Sequence, residues 1–182
     1  MKPAFTHLFQ IGIIVRDVEK AVKYYEEKLG MGPWELSDMG GFGPAEDIQI
    51  DGVPFKGQVV SKMAFLHRYG MEFELIQPIG DTPYKKWLDE HGPGIHHIAV
   101  KAAESYDKIL EDHKKETGKD PWIRGQAMKG VVPNLPADEY AMDFSYLALR
   151  EEAGIIVELY KNLAPGKVGH DYDPENPTPI YD

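Results

Sequence analysis

The sequence predicts an α+β fold built from two tandem β-α-β-β-β modules. Three observations predict it. Apolar runs rich in β-branched residues alternate with segments of helical period. The order of those segments restarts halfway along the chain. Gln10 also precedes Glu74 in the first half by nearly the same number of residues as His97 precedes Glu158 in the second. A recurring order with matched spacing marks an internal repeat.

The first element is QIGIIV, a short β-branched run starting at Gln10 that reads as a buried strand. Asp17 then offers an N-cap, Val18, Ala21, Val22, Tyr25 and Leu29 recur on one helical face, and Gly30 supplies the stop. The stretch GPWELSDMGGFGPAEDIQIDGVPFKG is rich in glycine and proline and reads as strand fragments around a loop. VVSKMAFL and MEFELIQ follow as two strands, with the turn expected from His67 to Gly70. Thr82 and Pro83 then open a short helix that buries Trp87 and Leu88 and ends at Gly92.

GIHHIAV begins the second half as QIGIIV began the first. A helix from about Ser105 to Glu116 places Tyr106, Ile109, Leu110 and His113 on one stripe and closes at Gly118. After a loop, MDFSYLAL and GIIVELYK are the last two strands. The chain therefore divides into a first module over 1–80, a linker helix over 81–92, a second module over 93–163 and a proline-rich tail over 164–182.

Composition narrows the function. With no cysteine, disulfides, thiolate metal sites and cysteine nucleophiles are excluded. A net charge of -10, without a basic stripe, argues against nucleic acid and anionic lipid surfaces as partners. No apolar run approaches the roughly 18 residues of a membrane span, and MKPAFTHLFQ lacks the apolar core of a signal peptide, so no membrane association and a cytoplasmic location are expected.

The chemistry emerges from strand alternation, because neighbouring side chains point to opposite faces. Phe73 and Leu75 form the apolar face that a helix should cover, leaving Glu72, Glu74 and Ile76 opposite. By the same reasoning, Val157 and Leu159 oppose Ile156, Glu158 and Tyr160. In the opening strands, Ile11, Ile13 and Val15 lie under the first helix with Gln10, Gly12 and Ile14 opposite. His96, Ile98 and Val100 lie together, away from His97 and Ala99. Gln10, Glu74, His97 and Glu158 can thus face one cavity. Buried carboxylates without a partner are costly, so this set calls for a cation. One divalent ion suits two carboxylates, an imidazole and an amide oxygen, with octahedral positions left for water or substrate. His7 is the alternative to Gln10, and His96 is expected to pack behind the sheet or at its edge. His67, His91 and His170 are assigned to turns or tail.

The segments QIGIIVRDVEKAVKYYEEKLG, FELIQPIG, TPYKKWLDEHGPGIHHIAV and GIIVELYK together resemble the vicinal oxygen chelate superfamily. Its members include glyoxalase I, methylmalonyl-CoA epimerases, extradiol dioxygenases and bleomycin-resistance proteins. The resemblance implies two βαβββ modules in a half-barrel around one divalent metal ion, with Zn, Ni, Co or Mn as candidates. FELIQPIG, a short helix and GPGIHHIAV look most like the epimerase branch. Epimerases usually carry histidine where this chain has Gln10, and the set Gln10, Glu74, His97, Glu158 is instead similar to that of glyoxalase I. Either relation implies a metal-dependent isomerase or lyase that removes a proton next to a carbonyl. Glu158 and Glu74 are the implied proton-transfer residues, Glu158 foremost. The expected substrate is a small-molecule carbonyl or thioester compound, and the expected assembly is a homodimer.

Two other readings stay open. An extradiol-type dioxygenase favours two histidines and one carboxylate on iron, whereas this chain offers one inward histidine and two glutamates. A non-catalytic drug-binding protein of the bleomycin-resistance type commonly lacks metal ligands. Gly40, Gly41 and Gly43 lack the spacing of a phosphate loop and are assigned to a lid. Trp34, Phe42, Phe55, Tyr140, Met142 and Phe144 are candidate pocket residues. Lys56, Lys62 and Arg68 are candidate cations at the cavity mouth.

Overall fold

The computed structural model describes residues 5–37, 45–102, 105–130 and 135–163. The first half supplies β1 (Phe5–Ile14), α1 (Val18–Leu29), β2 (Glu35–Ser37), β3 (Glu46–Ile50), β4 (Val53–Pro54), β5 (Val60–Arg68) and β6 (Met71–Ile79). After α2 (Pro83–His91), the second half supplies β7 (Gly94–Ala102), α3 (Tyr106–Thr117), β8 (Ile123–Ala127), β9 (Met142–Leu147), α4 (Arg150–Ala153) and β10 (Ile156–Asn162).

The strands form one curled sheet in the order β2-β5-β6-β1-β7-β10-β9-β8-β3-β4. In each half the opening strand runs parallel to the last, β1 to β6 and β7 to β10. The two opening strands pair antiparallel with each other at the centre. Each helix is framed by residues whose role is local. Asp17 accepts from Lys20 N at 3.0 Å and Gly30 closes α1 at φ 65°, a conformation that penalises any side chain with a Cβ. Thr82 caps α2 ahead of Pro83, and Ser105 caps α3.

The alternation argument places the layers correctly. Val18 and Val22 of α1 pack on Val15, Leu66 and Leu75, while Ile109 and Leu110 of α3 pack on Val100, Val157 and Leu159. On the other face, Ile14, Ile76, Tyr84, Trp87, Ile123, Phe144, Tyr146 and Ile156 form the central core. Leu29 departs from its expected place: burial on α1 is confined to Val18 and Val22, and Leu29 in the last turn is exposed.

Three further expectations change. The stretch between Gly118 and Met142, read as a loop, contains β8, which pairs with β3 from the strand fragments of the first half, and Ala45 bridges Val59 just before β5. The alternation of β8 was hidden because IRGQA carries a single large apolar side chain, Ile123. His67 belongs to β5, so the turn is confined to Tyr69 and Gly70, where Gly70 takes φ 69°. His91 is the last residue of α2. The expected lid glycines, Phe42, His170 and the 164–182 tail lie outside the described residues.

Candidate active site

Two adjacent rows of side chains cross the four central strands. One row is Glu74, Gly12, His97 and Ile156, and the next is Glu72, Gln10, Ala99 and Glu158. The small residues Gly12 and Ala99 leave the room into which the four longer polar chains converge. At Gly12 the requirement is one of close approach, since a Cβ there would lie 1.9 Å from His97 Cε1.

The polar ends meet around His97, which is completely buried. Its Nε2 lies 2.8 Å from Glu158 Oε2, 3.2 Å from Gln10 Oε1 and 3.5 Å from Glu74 Oε2. Gln10 Nε2 donates to Glu72 Oε1 at 2.5 Å, which fixes the amide so that its oxygen faces the histidine. The Tyr160 hydroxyl stands 2.9 Å from both Gln10 Oε1 and Glu158 Oε2. His67 Nδ1, 3.1 Å from Glu72 Oε2, extends the network outward. All four residues singled out from the sequence, Gln10, Glu74, His97 and Glu158, are therefore brought together. Gln10, rather than His7, is the β1 residue that reaches His97.

His96 is not behind the sheet. The register passes from Gly12↔His97 to Ile13↔Ile95, a bulge that gives β7 one extra residue and breaks the alternation. The His96 ring consequently turns to the concave side, boxed by Tyr84, Trp87, Trp122 and Tyr146 at centroid distances of 5.0 to 5.5 Å. Its Nδ1 is 3.1 Å from Nδ1 of His97.

Burial sets the electrostatics. Glu74 is pushed up to about 8, chiefly by removal from water and further by the nearby Glu158 and Glu72 carboxylates, although His97 opposes this. For His97, burial disfavours the imidazolium, but the adjacent Glu158 outweighs it and holds the ring above its ordinary value. Burial and neighbouring His97 keep His96 well below its usual value, hence neutral. Tyr160, Tyr146 and Tyr84 are driven far up by burial and remain hydroxyl donors.

Among the described residues, no three His, Asp or Glu side chains stand as a ready-made metal centre. His97 Nε2 is instead in direct hydrogen-bond contact with Glu158. The donor chemistry nevertheless suits a hard or borderline divalent cation: an amide oxygen, an imidazole nitrogen and two carboxylates, all buried and all within 3.5 Å of one atom. Three buried carboxylates, Glu72, Glu74 and Glu158, surround two histidines, His67 and His97. Such an excess of buried anionic groups is costly without a cation or bound protons.

Glu72, His67, Tyr160 and Tyr146 were not singled out from the sequence. Glu72 and Tyr160 were within reach, since each stands two residues from a chosen glutamate on the same strand face. Of the candidate pocket residues, Phe144 and Phe55 belong to the concave core, whereas Trp34 lies beneath α1. Tyr140 donates to Glu46 at 2.6 Å, and Met142 packs beside Met128 and Ala141. Lys62 pairs with Glu19 of α1 and so does not serve the mouth, and Arg68 ends β5.

A repeated βαβββ order, a curled sheet and a polar cluster on the concave side define a class of folds shared by isomerases, dioxygenases and binding proteins. The chain belongs to the Glyoxalase/Bleomycin resistance protein/Dioxygenase superfamily, which it matches over residues 9–129. Among solved structures it is similar to a variant of Streptomyces coelicolor methylmalonyl-CoA epimerase in complex with 2-nitronate-propionyl-CoA. The identity is 20% and the TM-score 0.53, covering 88% of this chain and 96% of that one. It is also similar to a hypothetical protein from Bacillus halodurans, at 23% identity and TM-score 0.51, covering 85% and 92%. The Mycobacterium tuberculosis methylmalonyl-CoA epimerase matches at 18% identity and TM-score 0.50, covering 89% and 91%. No curated protein matches the sequence significantly. These likenesses carry the fold. No helix among the described residues is long and apolar enough to cross a membrane.

Proposed function

We propose that the protein is a metal-dependent isomerase or lyase, of the epimerase or glyoxalase type, that moves a proton on carbon next to a carbonyl. The observation that carries this reading is the convergence of Gln10, Glu74, His97 and Glu158 on one buried point. These four would hold a divalent ion, which when bound supplies a Lewis acid for charge developing on the substrate oxygen.

The chain's own groups supply acid and base. Glu158, hydrogen-bonded by His97 and Tyr160, is the base that takes the carbon-bound proton. Glu74, 3.5 Å from His97 Nε2 and opposite Glu158, is the second carboxyl placed to return a proton to carbon; in the ion-free protein burial pushes it up to about 8. Tyr160 holds Glu158 and Gln10 in register, and the apolar wall of Tyr146, Ile156 and Phe144 excludes water. A small-molecule carbonyl or thioester compound is the substrate class. The similarity to epimerases solved with CoA compounds supports including CoA esters in the screen. A homodimer in the cytoplasm remains the expected setting.

The test is deuterium exchange from candidate thioesters and 2-oxoaldehyde adducts after loading with Zn, Ni, Co or Mn. Glu158→Gln should abolish exchange in a folded protein with weakened metal affinity, and unchanged exchange would end the assignment. A second reading is a binding protein of the bleomycin-resistance type, in which the aromatic walls of the concave core would hold an apolar drug. Metal-free protein that binds a drug tightly and shows no metal affinity would select it. Oxygen consumption with a catechol and ferrous ion would select the dioxygenase.

A further inference from the structure

A cavity of about 930 Å³ opens beside the site, between α2, the β3–β4 turn and α4. Its floor includes Ile156, two residues before Glu158 and therefore on the same face of β10. Its wall is made of Trp87 and Trp122, which also box His96 against His97. The cavity thus continues the concave face from the reactive end toward solvent.

Its lining is amphiphilic in a specific way. Trp122 and Phe55, both half-buried, offer flat apolar faces, whereas Trp87 is buried and stacked on His91 at a centroid distance of 4.9 Å. Four lysine or arginine side chains surround them, and two are already neutralised: Lys86 pairs with Glu90 at 3.9 Å, and Lys119 with Glu152 at 2.8 Å and Glu151 at 3.8 Å. The other two, Lys56 and Arg150, make no ion pair among the described residues. Arg150 instead sits over the Trp87 ring, 5.8 Å from its centroid. The indole donor Trp87 Nε1 is also buried in this wall without a hydrogen-bond partner. Asp51 and Asp81 also reach the lining, so a cationic ligand is the alternative to be tested.

We propose that this cavity binds the non-reacting part of the substrate, a planar or apolar body bearing a carboxylate or phosphate, with the flat body against Trp122 and Phe55 and the anion on Arg150 and Lys56. The inference rests on the proposed function for calling the occupant a substrate. The binding itself does not depend on it. An unpaired guanidinium stacked on an indole is already held in place, so it binds an anion with little further loss of side-chain freedom. Anchoring a remote group here would hold the reactive carbon near Glu158, the use of distant binding energy that orients a substrate.

Two of the three tryptophans line the cavity, so intrinsic fluorescence reads its occupancy. The probes are 2-naphthoate, 2-naphthamide and 2-naphthylmethylammonium, titrated into the full chain. The expected result is quenching in which naphthoate binds at least about tenfold more tightly than the amide. Arg150→Gln should lose about tenfold of that affinity, and the Arg150→Gln/Lys56→Gln double variant should lose the preference altogether. Both residues are exposed, so the fold is not at stake. Equal binding of naphthoate and naphthamide, tighter binding of the ammonium compound, or naphthoate affinity unchanged in the double variant would each overturn the proposal. Glu158→Gln should bind naphthoate normally. Normal anion binding with exchange that survives Glu158→Gln would refute the proposed function while leaving this site intact.

Discussion

Replacing Gly12 by alanine should unfasten the active site from beneath. The added Cβ would lie 1.9 Å from His97 Cε1, where ordinary contact begins at 3.4 Å, so the ring must retreat by about 1.5 Å. It has nowhere to go without loss, being fully buried with Tyr146 at 5.1 Å and His96 at 5.4 Å between centroids. Overpacking a core in this way costs about 1–3 kcal/mol, and breaking the 2.8 Å contact to Glu158 adds about 1.5–3 kcal/mol for a charge-assisted bond. The combined loss of about 2.5–6 kcal/mol is a large part of a typical stability of about 5–15 kcal/mol. With a urea dependence of about 2 kcal/mol/M, the unfolding midpoint should fall by about 1.3–3 M. Urea denaturation followed by tryptophan fluorescence measures it. A midpoint within about 0.3 M of the parent would mean that His97 does not lie over Gly12, and the packing argument for the site would fail.

Other outcomes follow from the same geometry. In ion-free protein, Glu74 holds its proton to about pH 8, whereas an unfolded glutamate releases it near 4.5, so between these values the folded state binds the extra proton. Stability should therefore fall as pH rises through that window. The raised His97 acts in the same direction, its contribution being complete below 6.5 and lost as pH climbs through its folded value. Glu74→Gln should flatten the profile measured by urea midpoints from pH 5 to 9, and an unaltered slope would contradict the assignment. Tyr160→Phe removes the hydroxyl between Gln10 and Glu158 and should cost about 1–3 kcal/mol in the same assay, a neutral result refuting the bridge. A divalent ion at 100 times its Kd should stabilise the protein by about 2.7 kcal/mol, seen as a rise in Tm that Glu158→Gln and Glu74→Gln diminish. Identical shifts in parent and variants would place the ion elsewhere.

The sequence was most informative where a single period governed several residues at once. Alternation along FELIQ and IIVELY separated Leu75 and Leu159 from Glu74 and Glu158, and the layers follow it. The four-residue cluster was legible for the same reason. His96 was not, because one inserted residue in β7 reverses the parity of everything before it, and only the pairing partner reveals the bulge. β8 was hidden for a different cause. It is short, has Ile123 as its single large apolar residue and is held by hydrogen bonds to β3, some seventy residues earlier in the chain, so its own side chains carry little of the signal. Tyr160 and Glu72 were overlooked although their parity was plain, since a tyrosine and a glutamate near a strand end have many uses besides closing a polar network.

The crossing of β3 into the second half has a bearing on how the molecule is assembled. If the ancestral unit was one module copied in tandem, the present protein is no longer two separable copies, for the first copy has lent a ribbon to the border of the second. Severed within the α2 connection, neither piece would own a complete perimeter: one would trail an unmatched ribbon and the other would display the bare rim of β8. Fragment reconstitution should then be obligatory, each piece insoluble or unstructured by itself and both recovering structure when mixed.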